Sequence, residues 1–514
     1  MKILLIRPPV KYVKGSERHA ASLPLGLLYI AAVLEHNNYF VEIYDAQINV
    51  DEPSSFDEFG CEHIGKKWTD IEKEIAKRQP AIVGIICSYS TQVENAIRVA
   101  EIAKKCNNDL YTIVGGSPSS VKPHDFFTKT KAIDIVCLGE GEYTMLEIVE
   151  AVQNKKNFNS ISGIALLKEN RVEITTPRPF IQNLDELPLP AYHLINLEEY
   201  FILFKSGFNP RPIFYYPGVE RSVSIITSRG CPFDCVFCSI HLLMGKRFRY
   251  HSAEYVLKHL EFLTLRYNIK HFHFEDDNLT LNRVRFKQII DGLLQKKLKI
   301  TWDTPNGVRA DNLTKEIIRD CKKSGCVYLA FGIESGNQNV LDLIINKQLK
   351  LTQAVKTFQW CKECSLDAMA FFVIGFPGET KTDMHDTINF ALWAQRKLDV
   401  NPLLFVATPL PGTRLEKIFI DKGVLKEALS PEILAKMTPG SYLLDGDQFK
   451  AADLVFIRNT FFKWHTRTFY LGALVFFICN PQALIKFVFK ILIESGGFNK
   501  KRITNLILFK KYLK

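Results

Sequence analysis

No stretch of the 514 residues reaches the ~18 consecutive apolar residues that a membrane-spanning helix needs. The longest apolar run, FYLGALVFFIC, stops at Asn480-Pro481. No secretory signal is visible in MKILLIRPPV, whose apolar run ends at Arg7 and a proline pair. Cysteine is sparse, with 12 residues scattered over the chain. That excludes a small disulfide framework, and a reducing, cytoplasmic setting is expected. Neither a G-x-G-x-x-G fingerprint nor a Walker loop is present, so no ordinary nucleotide site is written in the sequence. Acidic residues are too few to balance the basic ones, leaving a formal charge of +11. This excess suits anionic cofactors or a membrane surface; no nucleic-acid partner is expected.

A hydrophobic content of 47% over this length exceeds one core and suits two or three domains. Over residues 1–150 apolar strands alternate with helical patterns: KILLI, PLGLLYIAAVLE, FVEIYDA, IVGIICSYS, QVENAIRVAEIAKK. Strict alternation predicts an α/β domain with a doubly wound parallel sheet. Such sheets bind ligands at the carboxyl ends of their strands. Ser88, Gly115, Gly116, Gly139 and Glu140 fall at those ends. Residues 151–215, with the proline-rich LDELPLPAYHLI, read as a connector. Over residues 216–416 the alternation resumes with six strand–helix repeats, too few for a closed eight-unit barrel, so an open (β/α)6 barrel is expected. Residues 417–514 read as a helical C-terminal region rich in Phe, Ile and Lys.

RGCPFDCVFCS, at residue 229, holds Cys231, Cys235 and Cys238. They follow directly on the strand pattern SVSIITS, where barrel enzymes keep their active-site loops. A structural zinc site needs a fourth ligand from elsewhere. Three thiolates on a four-iron cluster instead leave one iron free for a substrate or cofactor. Glu275, Asp276 and Asp277 follow another strand, placing one or two carboxylates at the barrel mouth. The competing structural reading makes Asn278 an N-cap. Glu334 ends a very apolar strand, where a carboxylate needs a partner. Gly375 and Gly378 permit a tight turn, and Thr380 with Asp383 fits a capping box. The pair Cys361 and Cys364 fits ordinary helix packing.

The C-x3-C-x2-C loop, with aromatic Phe237 before the last cysteine, resembles the radical S-adenosylmethionine (SAM) superfamily. FHFEDDN, FGIESG, VIGFPGET and TPLPGTRL follow in the family's order over residues 222–416. The resemblance implies a [4Fe-4S] cluster on Cys231, Cys235 and Cys238. It also implies SAM contacts from Phe237, Glu275, Asp276, Glu334, Gly375 and Gly378. The implied chemistry is reductive cleavage of SAM to a 5′-deoxyadenosyl radical.

The front domain, through PLGLLYIAAVLE, VGGSP and CLGEGE, resembles the cobalamin-binding domain of the cobalamin-dependent branch. This implies cobalamin held by Ser88, Gly115, Gly116, Gly139 and Glu140, and a methyltransferase acting on an unactivated carbon. The D-x-H-x-x-G loop of many cobalamin domains is absent: IRPPVKYVKG stands in its place, so no histidine of this loop ligates cobalt. The alternatives are a non-methylating cyclase or rearrangement enzyme, and a cobalamin-binding sensor with a structural cluster. The implied partners are a small-molecule or lipid-like substrate and an electron donor such as flavodoxin or ferredoxin. In the tail, QALIKFVFKILIES between basic flanks raises the expectation of peripheral membrane contact, against a competing expectation that it packs onto the barrel.

Overall fold

A computed structural model describes residues 1–12, 22–52, 54–56, 62–205, 219–430, 433, 434, 437 and 443–479. The front sheet is built on β1 (Lys2–Arg7), β2 (Phe40–Asp45), β3 (Ile82–Ile86), β4 (Tyr111–Gly115) and β5 (Ile135–Cys137), all parallel. Helices α1 (Leu25–His36), α2 (Trp68–Arg78), α3 (Val93–Cys106) and α4 (Glu142–Gln153) cover it. The alternation of β1 sorts the layers. Ile3 and Leu5 pack with α1 and α4, whereas Leu4 and Ile6 pack with α2 and α3. A sheet covered on both faces explains why β3 is apolar throughout.

The residues after 150 depart from the expected connector. β6 (Ile164–Lys168) and β7 (Arg171–Ile174) form an antiparallel hairpin and extend the front sheet to the order β7-β6-β5-β4-β3-β1-β2. The chain reverses at Glu169 and Asn170, both at positive φ. The reversal of strand order between β1 and β3 makes a crevice at their carboxyl ends.

The second sheet is parallel and in chain order: β8 (Ser222–Ile225), β9 (His271–Phe274), β10 (Thr301–Val308), β11 (Cys326–Glu334), β12 (Asp367–Ile374) and β13 (Val400–Val406). β8 and β13 are not paired, so the barrel is open, as the six repeats predict. Helices α5 (Ala253–Tyr267), α6 (Arg283–Lys296), α7 (Lys315–Lys323), α8 (Leu351–Glu363) and α9 (Lys381–Leu398) line its outside. Phe272 and Phe274 join that helix-side core. His271 and His273, at alternate positions, therefore point into the lumen. Phe204 and Val219 pack against Tyr328, Ala330 and Met369 and close its floor.

Local signals hold at several ends. Thr380 and Asp383 make the capping box that starts α9. Gly325, at φ +98°, follows the last turn of α7. Asn278 is not a cap. α6 begins at Arg283, and Asn282 accepts the Arg285 N–H. Cys361 is packed in the core, and burial pushes its thiol well up, away from reactivity.

The long helix α10 (Ala451–Cys479) docks Leu454, Ile457 and Phe461 on the barrel core and leaves Phe456, Phe462, Trp464 and Leu471 exposed. Among the described residues no helix is long and apolar enough to cross a membrane. QALIKFVFKILIES lies outside the described residues.

Candidate functional site

The cysteine loop leaves the carboxyl end of β8. A two-stranded ribbon, Ser228–Arg229 against Arg249–Tyr250, brackets it. Cys231, Cys235 and Cys238 are free thiols, each half-buried. They are close enough for Cys238 to feel both of the others electrostatically. Burial pushes the Cys238 thiol up to about 11, and Cys235 in the same direction. Three soft donors in one loop, unpaired with each other, fit an iron–sulfur cluster, whose iron draws the thiol protons away.

The loop is held from several strands. Val236 donates its N–H to Ile345 O at 3.0 Å and accepts the Leu415 N–H at 2.8 Å. Asn346 reaches Asp234 O at 3.1 Å. Asn278 donates to Cys231 Sγ at 3.8 Å. Arg309 lies over the Phe233 ring, 3.7 Å from its centroid, and ties to the carbonyls of Lys347 and Gln348.

The acids after β9 divide. Glu275 is half-buried at the strand's carboxyl end and accepts the Ser224 hydroxyl at 2.7 Å. Asp276 is tied to the residues just ahead of the cysteine loop. It is buried, and its Oδ1 accepts from the Thr227 N–H and hydroxyl and from Ser228, so it fixes the bend into the cysteine loop. Alternation carried past Phe274 cannot show this, because the strand ends there. Asp277 lies at the open side and accepts the Gly230 N–H at 3.1 Å.

Glu334 has the partner its burial requires: Lys347 Nζ at 2.9 Å, with Cys235 within electrostatic reach of both. Its φ of +72° breaks the register of β11 at Gly332, whose missing side chain leaves room for this pair. Phe237 packs on Phe376 with ring centroids 6.0 Å apart, joining the cysteine loop to the turn after β12. In that turn Gly375 and Gly378 both have positive φ. Glu379 folds back to accept the N–H groups of Gly375 and Phe376. Burial pushes the Glu379 carboxyl up to about 8. A side chain at Gly375 would meet Leu454 of α10 at 3.1 Å, so this glycine also serves packing.

Across the interface, a cavity of about 250 Å³ is walled by both domains. Gly115, Gly116, Gly139 and Glu140 line it from the front domain, and Ile226, Arg229, Leu243 and Met244 from the barrel. Ser88 is half-buried after β3 and is not part of the lining. The two adjacent glycines differ. Gly116, at φ +120°, has Cys87 O only 2.1 Å from where a Cβ would sit, so the backbone itself requires glycine. Gly115 has only Cys137 nearby, at an ordinary 3.6 Å, and leaves open wall toward the cavity. Sequence reasoning missed Tyr29, Arg229 and Met244 in this lining. An arginine beside the first cysteine was the available signal for Arg229.

An open (β/α)6 barrel with a three-cysteine loop, facing a doubly wound domain across a shared cavity, defines a radical SAM enzyme of the cobalamin-dependent type. The comparisons agree. Residues 225–391 match the Radical SAM superfamily model and residues 17–149 the B12 binding domain model. The chain is 33% identical to the Uncharacterized methyltransferase PH0819 of Pyrococcus horikoshii, over 98% of this chain and 97% of that protein. It is 28% identical to the cytidylyl-2-hydroxyethylphosphonate methyltransferase of Streptomyces wedmorensis, over 82% of each. The fold matches that of TsrM, a radical SAM methyltransferase from Kitasatospora setae solved with cobalamin and a [4Fe-4S] cluster. The TM-score is 0.65 at 16% identity, covering 83% of this chain and 79% of that one. The chain belongs to the cobalamin-dependent radical SAM methyltransferase family. Its cofactors are those of the family: cobalamin, a [4Fe-4S] cluster and SAM.

Proposed function

We propose that the protein methylates an unactivated carbon of a small molecule, with the reacting groups meeting between the cysteine loop and the interdomain cavity. The observation that carries this is the shared lining: Ile226 and Arg229 on the way into the cysteine loop, and Leu243 and Met244 on its way out, face the glycine-lined strand ends of the front domain. When bound, the cluster supplies the electron that cleaves SAM and cobalamin supplies the methyl group.

Cys231, Cys235 and Cys238 are the proposed cluster ligands. Glu275 is the proposed anion for the methionine ammonium, and Glu334, with Lys347, the polar end nearest the cluster. Phe237 and Phe376 exclude water from that side. Gly115 gives the corrin a close approach to the backbone. Gly115→Leu should therefore lower hydroxocobalamin binding, followed by absorbance after gel filtration, while iron content stays at the parental level. Unchanged cobalamin binding would place the corrin elsewhere. Reduction by a flavodoxin or ferredoxin completes the proposal.

The decisive experiment is anaerobic turnover with a panel of small molecules and SAM carrying a deuterated methyl group. Methylation gives a product heavier by that labelled methyl, together with 5′-deoxyadenosine. 5′-Deoxyadenosine with an unmethylated product would mean a cyclase or rearrangement instead.

A further inference from the structure

The excursion that carries all three cysteines begins at Arg229 and closes at Arg249. These two residues are direct partners in the antiparallel ribbon. Like charges placed directly opposite destabilise a strand pair. Here both are buried, at 7% and 3% exposure, where an uncompensated charge costs most. The ribbon is therefore unfavourable on its own.

Asp277 of the barrel lies within electrostatic reach of both arginines, but the carboxylates hydrogen-bonded to them come from the other domain. Glu140 Oε1 accepts from Arg229 at 2.9 Å and from Arg249 at 2.7 Å. Glu142 accepts the second arm of Arg229 at 2.6 Å. The remaining oxygen of Glu140 takes the Ile181 N–H at 2.7 Å. Arg249 also donates to Ile181 O and Met244 O, at 2.8 and 2.9 Å. Both ends of the cysteine excursion thus hang from one carboxylate, in the loop that walls the cavity. Gly230 follows Arg229 at φ +82°, and Cys231 follows Gly230, so only one residue separates the pair from the first cysteine.

We propose that Glu140 is a positioning residue that fixes the cluster loop relative to cobalamin through the paired guanidinium groups of Arg229 and Arg249. The inference rests on the cobalamin reading of the cavity. It also changes the role expected of Glu140, whose two oxygens are both taken up by protein groups.

The test uses the reconstituted holoenzyme. Spin–lattice relaxation of the cob(II)alamin signal is measured by electron paramagnetic resonance with the cluster oxidised and reduced. The enhancement by the reduced cluster reports their separation. Glu140→Gln removes the charge, and Glu140→Asp keeps it on a shorter arm. Both variants are expected to keep parental iron and cobalamin and to change the enhancement by about twofold or more, the scale of an ångström-level displacement. Gln should change it more than Asp. Loss of cofactors from Gln alone, with altered relaxation in Asp, also supports the proposal. Unchanged relaxation at full occupancy overturns it. Loss of both cofactors from both variants overturns it too, because Glu140 would then serve folding only. A parent protein that binds no cobalamin would instead refute the cobalamin reading itself.

Discussion

Alanine at any one of Cys231, Cys235 or Cys238 is expected to strip most of the iron from the anaerobically reconstituted protein, and the triple variant to hold none. The ~410 nm absorbance of a four-iron cluster should vanish with it. SAM cleavage to 5′-deoxyadenosine should fall below detection, since the cluster is the source of the electron for the sulfonium. The fold should survive. The three thiols are only half-buried, and the loop is held mainly by Val236, Asn346 and Leu415, with one long contact to a sulfur from Asn278 to Cys231. Circular dichroism and the melting profile should therefore change little while iron is lost. Full iron content in the triple variant would refute the cluster assignment. Collapse of the fold in each single variant would refute the claim that the loop is held by its backbone.

Much of this architecture is readable before any coordinates. Alternating apolar strands and amphipathic helices appear twice, and each run becomes a parallel sheet covered by helices. The six repeats after residue 216 become six strands in chain order. The cysteine trio is legible because spacing within one loop is a local property. The hairpin at 164–174 is not, because its turn is Glu169-Asn170 rather than an Asn-Gly or Asp-Gly signature. It joins the front sheet through pairing with β5, a long-range choice that short strands do not announce.

The partners of individual side chains are hidden for a related reason. The sequence places Asp276 and Glu140 correctly at strand ends, but not what faces them. Asp276 meets Thr227 and Ser228, about fifty residues earlier in the chain. Glu140 meets two arginines from the other domain. A buried carboxylate takes the strongest donors within reach, and tertiary contact decides which those are. The helix start at Arg283 shows the same limit on a smaller scale. Two asparagines, Asn278 and Asn282, are each able to cap, and the chain path selects the second.

The lumen of the barrel holds a polar group that no local pattern announces, and its removal should cost more stability than loss of any of the three thiols. Asp303 is fully buried between two imidazoles. His271 Nε2–H donates to its Oδ2 at 3.0 Å and His273 Nδ1–H to its Oδ1 at 2.8 Å. Thr301 completes the chain at His271 Nδ1, 2.7 Å away. Burial alone would raise the Asp303 carboxyl, but His273 and His271 facing it hold it below the usual carboxylate range. Asp303→Ala leaves two buried N–H groups without an acceptor. Breaking a buried pair of this kind costs about 3–5 kcal/mol. The apparent melting temperature of the barrel should fall by roughly 10 °C, taking the usual few degrees per kcal/mol for a unit of that size. Asp303→Asn should cost less, because its amide oxygen can still accept from one imidazole. The control is Glu261→Ala, which breaks the 2.8 Å pair with Lys296 on the barrel surface. That pair is equally short, but water screens it, and its loss should cost no more than about 1 kcal/mol. If Asp303→Ala and Glu261→Ala lower the melting temperature equally, the lumen group does not hold the barrel, and its burial would then have to be explained by the chemistry above it.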